Sequence, residues 1–177
     1  MTIRIAGLAA LAAVLLMTQG ARAQNPVDPD CIWTAVPADL RLEMRGEVGL
    51  HRDIIATLTQ KQIADLVRTC HVSNTQNNTA RIVVILRSRT LIAYGEQGLK
   101  ANLDLTPEML AATWRRAPLN ARKVLPHALD EDFETPTDIA RSLDALGQTL
   151  KITSDADREL FFDYAVGQSM LETLGLR

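Results

Sequence analysis

Aromatic residues make up only 4% of this 177-residue chain. Two Trp, two Tyr and three Phe are too few for a carbohydrate groove or a base-stacking platform, each of which needs several rings. Positive charge is not in excess: the formal net charge is -2, which argues against non-specific nucleic-acid binding. Histidine is scarce. His51, His71 and His127 form no H-E-x-x-H, and His51-Arg52-Asp53 offers two ligands where zinc needs three or four, so no metal is assigned. Asp155 to Glu159 imitates the opening of a calcium loop, but Leu160 and Val166 stand where a glycine and an acid are required. No glycine-rich phosphate loop is present, because Gly95-Glu96-Gln97-Gly98 is too short. Gly167-Gln168-Ser169-Met170-Leu171 lacks the second glycine of a nucleophile elbow. No cofactor and no catalytic residue are assigned, and the balance leans against an enzyme.

What is present is ordinary globular material, 47% hydrophobic and 23% charged, too apolar to be disordered. Residues 1–23 have the layout of a secretory signal peptide: Arg4, an apolar run from Ile5 to Met17, then Ala21-Arg22-Ala23. The run is short of the roughly 20 residues that span a bilayer. Cleavage between Ala23 and Gln24 is expected, and no later run approaches spanning length, so no integral membrane span is expected in the mature chain. Arginine outnumbers lysine and alanine is abundant, a composition that favours a bacterial periplasm as the destination.

Both cysteines, Cys31 and Cys70, follow the leader. Outside the cytosol such a pair most simply forms a disulfide; there is no C-x-x-C for redox chemistry. The bridge is expected to pin residues 24–36, read as an extended N-terminal segment.

Residues 37–177 read as a single all-α domain, a compact bundle of about six helices. Thr59-Gln60-Lys61-Gln62 fits a capping box, and Thr106-Pro107, Thr135-Pro136 and Ser154-Asp155 mark further starts. Gly46 and Gly49 are expected to interrupt the helix that begins near Pro37. After Thr135, Ile139, Leu143, Leu146 and Leu150 share one face while Arg141, Asp144 and Gln148 face away. Residues 78–97 and 154–174 are apolar on nearly every side, so each belongs at the centre or against a partner. Ile82-Val83-Val84-Ile85 also suits a strand, but no neighbouring run offers it a mate. Leu58-Thr59, Leu105-Thr106 and Ile152-Thr153 recur at a spacing of 47 residues, which admits two irregular helical-hairpin repeats.

Two functional readings follow. In the first, the protein acts through protein contacts, with helix 154–174 as the surface for a partner or a homodimer. In the second, it binds or hydrolyses a small anionic ligand. Arg89 falls on the apolar face of the 78–97 helix with Glu96 two turns on, and Asp130-Glu131-Asp132-Phe133-Glu134 supplies an acidic loop at 130–134. The leader makes the first prediction: mass spectrometry of exported protein should find a chain that starts at Gln24. An intact Met1 in a membrane fraction would instead mean an anchored protein.

Overall fold

The computed structural model describes residues 27–49, 55, 58–73, 75–130 and 132–175. Residues 1–23, Gln24 and His51 to Asp53 lie outside them, and with them the cleavage site. The described residues are all-helical and contain no strand: α1 Pro29–Ala35, α2 Ala38–Gly49, α3 Gln60–Thr69, α4 Gln76–Leu103, α5 Pro107–Trp114, α6 Leu119–Val124, a 3-10 turn Leu125–His127, α7 Thr137–Thr149 and α8 Asp155–Thr173. Among the described residues the count is eight α-helices rather than about six, and no helix is long and apolar enough to cross a membrane.

One of the extra elements has a local cause. Residues 24–36 were expected to be extended, yet α1 forms there because Asp28 accepts a hydrogen bond from the Asp30 N–H and Pro29 occupies the first turn. Gly46 does not interrupt α2, which runs through it on an exposed face. Thr59 makes both halves of its capping box with Gln62, and Thr106 and Ser154 cap α5 and α8. Thr135 makes no such cap, since α7 begins at Thr137 with Pro136 before it. α7 buries Ile139, Leu143, Leu146 and Leu150 and exposes Arg141, Asp144 and Gln148, as its periodicity requires.

The core is built on α4 packed along α8. α4 buries Ile82, Ile85, Leu86 and Leu99 completely, and its other flank meets α1 and α2. That double burial explains a helix apolar all round, with the Ile82–Ile85 run inside it. On α8, Phe161, Val166 and Leu171 are buried, while Phe162 and Leu174 are half-buried against the same core. The apolar flanks of 154–174 are thus spent inside the chain, and the reason for assigning that helix to a partner or a homodimer does not hold. The large exposed apolar side chains, Leu42, Met109, Leu119 and Leu129, are scattered over other segments.

The two central helices touch through glycine. A Cβ added at Gly95 would stand 2.5 Å from the Leu160 carbonyl oxygen and 2.8 Å from Tyr164 Cβ. One added at Gly167 would stand 2.6 Å from the Ser88 carbonyl oxygen. Both obstacles include backbone, so neither can swing aside. At Gly98 the obstacle is only the flexible tip of Leu160.

The 47-residue echo coincides in part with a recurring helix ending. α4 and α7 end alike, with Asp104 and Lys151 in the left-handed region, followed by the buried Leu105 and Ile152 and then the next helix cap. α3 ends the same way at His71 and Val72. What recurs is a helix corner in which an aliphatic residue closes over the previous turn. The units differ: α4 has 28 residues, whereas the span matching it is broken into α6, the 3-10 turn, a loop and α7.

The glycine contact makes a prediction with a built-in control. Alanine normally improves a helix by about 1 kcal/mol over glycine. Gly95→Ala and Gly167→Ala should instead lose about 1–3 kcal/mol through overpacking, and Gly98→Ala should lie within about 0.5 kcal/mol of the parent. Urea titration measures all three. A stabilising Gly167→Ala would show that the helices are not in backbone contact.

Candidate functional site

The disulfide joins Cys31 in α1 to Cys70 at the end of α3, with Cα atoms 5.9 Å apart and a sequence separation of 39. In the chain-entropy model, closing a loop of that size is worth about 4 kcal/mol. The bridge fixes α1 to the end of α3, α1 also packs against α4, and the first residues of α1 become one wall of a cavity of about 330 Å³.

Four elements line this cavity: Asp28, Pro29 and Asp30 at the start of α1, Arg89 of α4, Ala111, Trp114 and Arg115 at the end of α5, and Gln168, Leu171 and Glu172 of α8. The floor is a tied polar node. Trp114 Nε1 donates to Glu172 Oε1 at 3.1 Å, and Arg122 Nη1 lies 3.6 Å from the same oxygen. Arg122 also donates to the carbonyls of Trp114, Arg115 and Ala117, and its guanidinium stacks over the Trp114 ring. These contacts lock the α5–α6 corner onto α8 and leave the Arg115 side chain exposed at the rim.

Arg89 is the cation of the opposite wall. Its Nη2 donates to Asp30 Oδ1. Its Nε is buried and has no acceptor among the described residues. Nε and Nη2 are the side-on fork with which an arginine grips both oxygens of a carboxylate or phosphate. Here one arm is filled and the other is not. Arg45 and Arg81 also have an unpaired buried Nε. Arg45 donates to the Gln97 carboxamide and Arg81 to the Leu174 carbonyl, and neither arginine lines this cavity.

Glu96 does not join the site. It stands seven positions after Arg89, about 10 Å of helix rise, and it is not among the lining residues. Burial raises its carboxyl above the ordinary 4.5; Arg89 partly offsets this and Glu108 adds to it. Glu96 in turn helps burial hold the fully enclosed Tyr164 hydroxyl protonated, while Gln168 donates to that oxygen. The acidic run at 130–134 stands apart too. Asp130, Asp132 and Glu134 are exposed, Asp130 lies 3.2 Å from His127 Nδ1, and none of them lines the cavity. Glu131 lies outside the described residues. The hydrolase reading, which needed Arg89, Glu96 and this loop together, therefore has no common site.

Sequence reasoning missed Asp30 and Gln168 as lining residues. The usable signal was Asp28-Pro29-Asp30 abutting Cys31: a helix cap tied by a disulfide to the segment just before α4. A second cavity, of about 310 Å³, lies between α7 and α8 over Leu143, Gly147, Ile152, Phe161 and Phe162. Its Arg158 is engaged by Asp155 at 3.0 Å. Among the described residues no three His, Cys, Asp or Glu side chains converge as metal ligands. No known protein family, curated protein or solved structure matches this chain.

The raised Glu96 carboxyl has a stability consequence. Native protein favours the protonated form, so stability falls as pH rises from the ordinary value through the raised one. Glu96→Gln should raise the urea midpoint at neutral pH, and the gain should vanish below pH 4.5. A gain that persists in acid would assign the effect to packing rather than to charge.

Proposed function

We propose that the chain is an exported, non-catalytic binding protein whose Arg89 cavity takes a small oxyanion, a carboxylate or phosphate group carried by a compact molecule. The observation that carries this reading is the half-filled Arg89 fork at a cavity of about 330 Å³. A buried charged donor without an acceptor costs energy, and a bidentate acceptor removes that cost. Arg115 at the rim adds a second positive charge, and Leu171, Ala111 and the Trp114 ring give the ligand body an apolar surface.

Binding is favoured over chemistry because the acids of the cavity are already engaged. Asp28 caps α1, and Glu172 holds Trp114 and Arg122. Export rests on the leader features of residues 1–23, and a disulfide is at home in an oxidising compartment.

Trp114 provides the readout. In a Trp33→Phe background, titration with succinate and with inorganic phosphate should change Trp114 emission saturably for at least one of them, with a Kd of about 1 mM or tighter. Arg89→Lys retains the charge but not the fork and should weaken binding by at least about tenfold. If neither probe binds, or if Arg89→Lys binds as well as the parent, the oxyanion reading is wrong.

A further inference from the structure

The fork of Arg89 already holds a carboxylate from its own chain. Asp30 is the second residue of α1 and the immediate neighbour of Cys31. Its side chain is 78% exposed, so packing does not hold it, and it engages only the Nη2 arm of a fork built for two oxygens. Chemically it presents the acceptor that an external carboxylate ligand would present.

We propose that Asp30 is a resident ligand mimic, an autoinhibitory carboxylate that an incoming oxyanion must displace, and that the Cys31–Cys70 bond holds it in place. The proposal rests on the binding reading above. α1 has seven residues, too short to be a stable helix alone, so tertiary anchors set its position. Those anchors are the buried Ile32 and Val36 and the bridge to Cys70, which adjoins Asp30 directly. Asp28 accepts from the Asp30 N–H at 2.9 Å and fixes the turn from which the Asp30 side chain leaves. A carboxylate tethered in this way competes at a constant effective concentration whatever the solution contains. The affinity for an outside ligand is then scaled down by the fraction of molecules with an open fork.

The test is a comparison of parent, Asp30→Asn and the Cys31→Ser/Cys70→Ser double variant, each as the full mature chain. Phenylglyoxal modification of Arg89, followed by peptide-resolved mass spectrometry, reports how open the fork is without any ligand. Succinate and phosphate titrations report competition. Asp30→Asn should speed modification of Arg89 several-fold and tighten probe binding by about tenfold. The double variant should move Arg89 reactivity in the same direction. If Arg89 reacts equally in parent and Asp30→Asn, the mimic does not exist. If the probes bind parent and Asp30→Asn with equal affinity, the mimic is refuted while the oxyanion site stands. If the probes bind neither form, both readings fall. A folded double variant with parental Arg89 reactivity overturns the role of the bridge; should that variant fail to fold, Asp30→Asn alone decides.

Discussion

At the crossing of α4 and α8, backbone meets backbone, and the rest of the bundle is arranged around that approach. Gly95 faces the Leu160 carbonyl and Tyr164, and Gly167 faces the Ser88 carbonyl. Ser88 itself is fully buried and satisfies its hydroxyl by donating to the Val84 carbonyl of its own helix, so it adds little bulk and no unpaired donor. Two helices brought this close bury flanking Ile, Leu and Phe side chains such as Ile85, Leu86 and Phe161. The N-terminal end of α8 is fastened separately: Asn102 donates to Asp157 at 2.7 Å, and the Ser154 hydroxyl donates to the other oxygen. Both bonds favour the ionised Asp157 and hold its carboxyl below the ordinary range, so that joint weakens as acid protonates it.

The cavity follows from the same crossing. Arg89 stands next to Ser88, and Gln168 next to Gly167, so both flank the point of closest approach. Beside it stand two short elements: α1, held by Cys70, and the end of α5, held by Glu172 and Arg122. A cavity of about 330 Å³ lies between them. The site is thus a by-product of a rigid core and two stapled flanks, a construction that keeps lining groups in place without a loop.

Much of the fold was legible in the sequence because the strongest signals are local. The cap at Thr59, the stripe of α7 and the all-round apolarity of α4 and α8 each depend on residues within a few turns of one another. Helix ends were harder to read. The chain closes α3, α4 and α7 with His71, Asp104 and Lys151 in a conformation usually given to glycine, so the common stop signal is missing. α1 was missed because Asp28-Pro29 reads equally well as a turn, and only tertiary anchoring makes a helix of seven residues persist. The site was legible in one residue, Arg89, whose charge on an apolar face demanded an explanation. Its neighbours come from α1, α5 and α8, and no spacing along the chain announces contacts of that range.

All-round apolarity was also the argument for a partner, and here the structure changes what the pattern means. A helix needs a second partner only if its own chain offers one neighbour. α4 has α8 on one flank and α1 and α2 on the other; α8 meets α4, α6, the 3-10 turn and α7. Eight helices cover more flanks than six, and among the described residues the short ones α1, α2, α6 and the 3-10 turn lie against the two long ones. With that surface accounted for, the remaining departures from local rules carry more weight, because folds tend to break such rules where they function. Three arginines bury an unpaired Nε. Arg45 donates to the Gln97 carboxamide and Arg81 to the Leu174 main-chain carbonyl, both neutral acceptors. Only for Arg89, among the three, is the acceptor an exposed carboxylate at a cavity wall. Water solvates such a carboxylate about as well as the arginine does, so the pair is worth little to the fold. Its position is thus explained less by stability than by the cavity it faces.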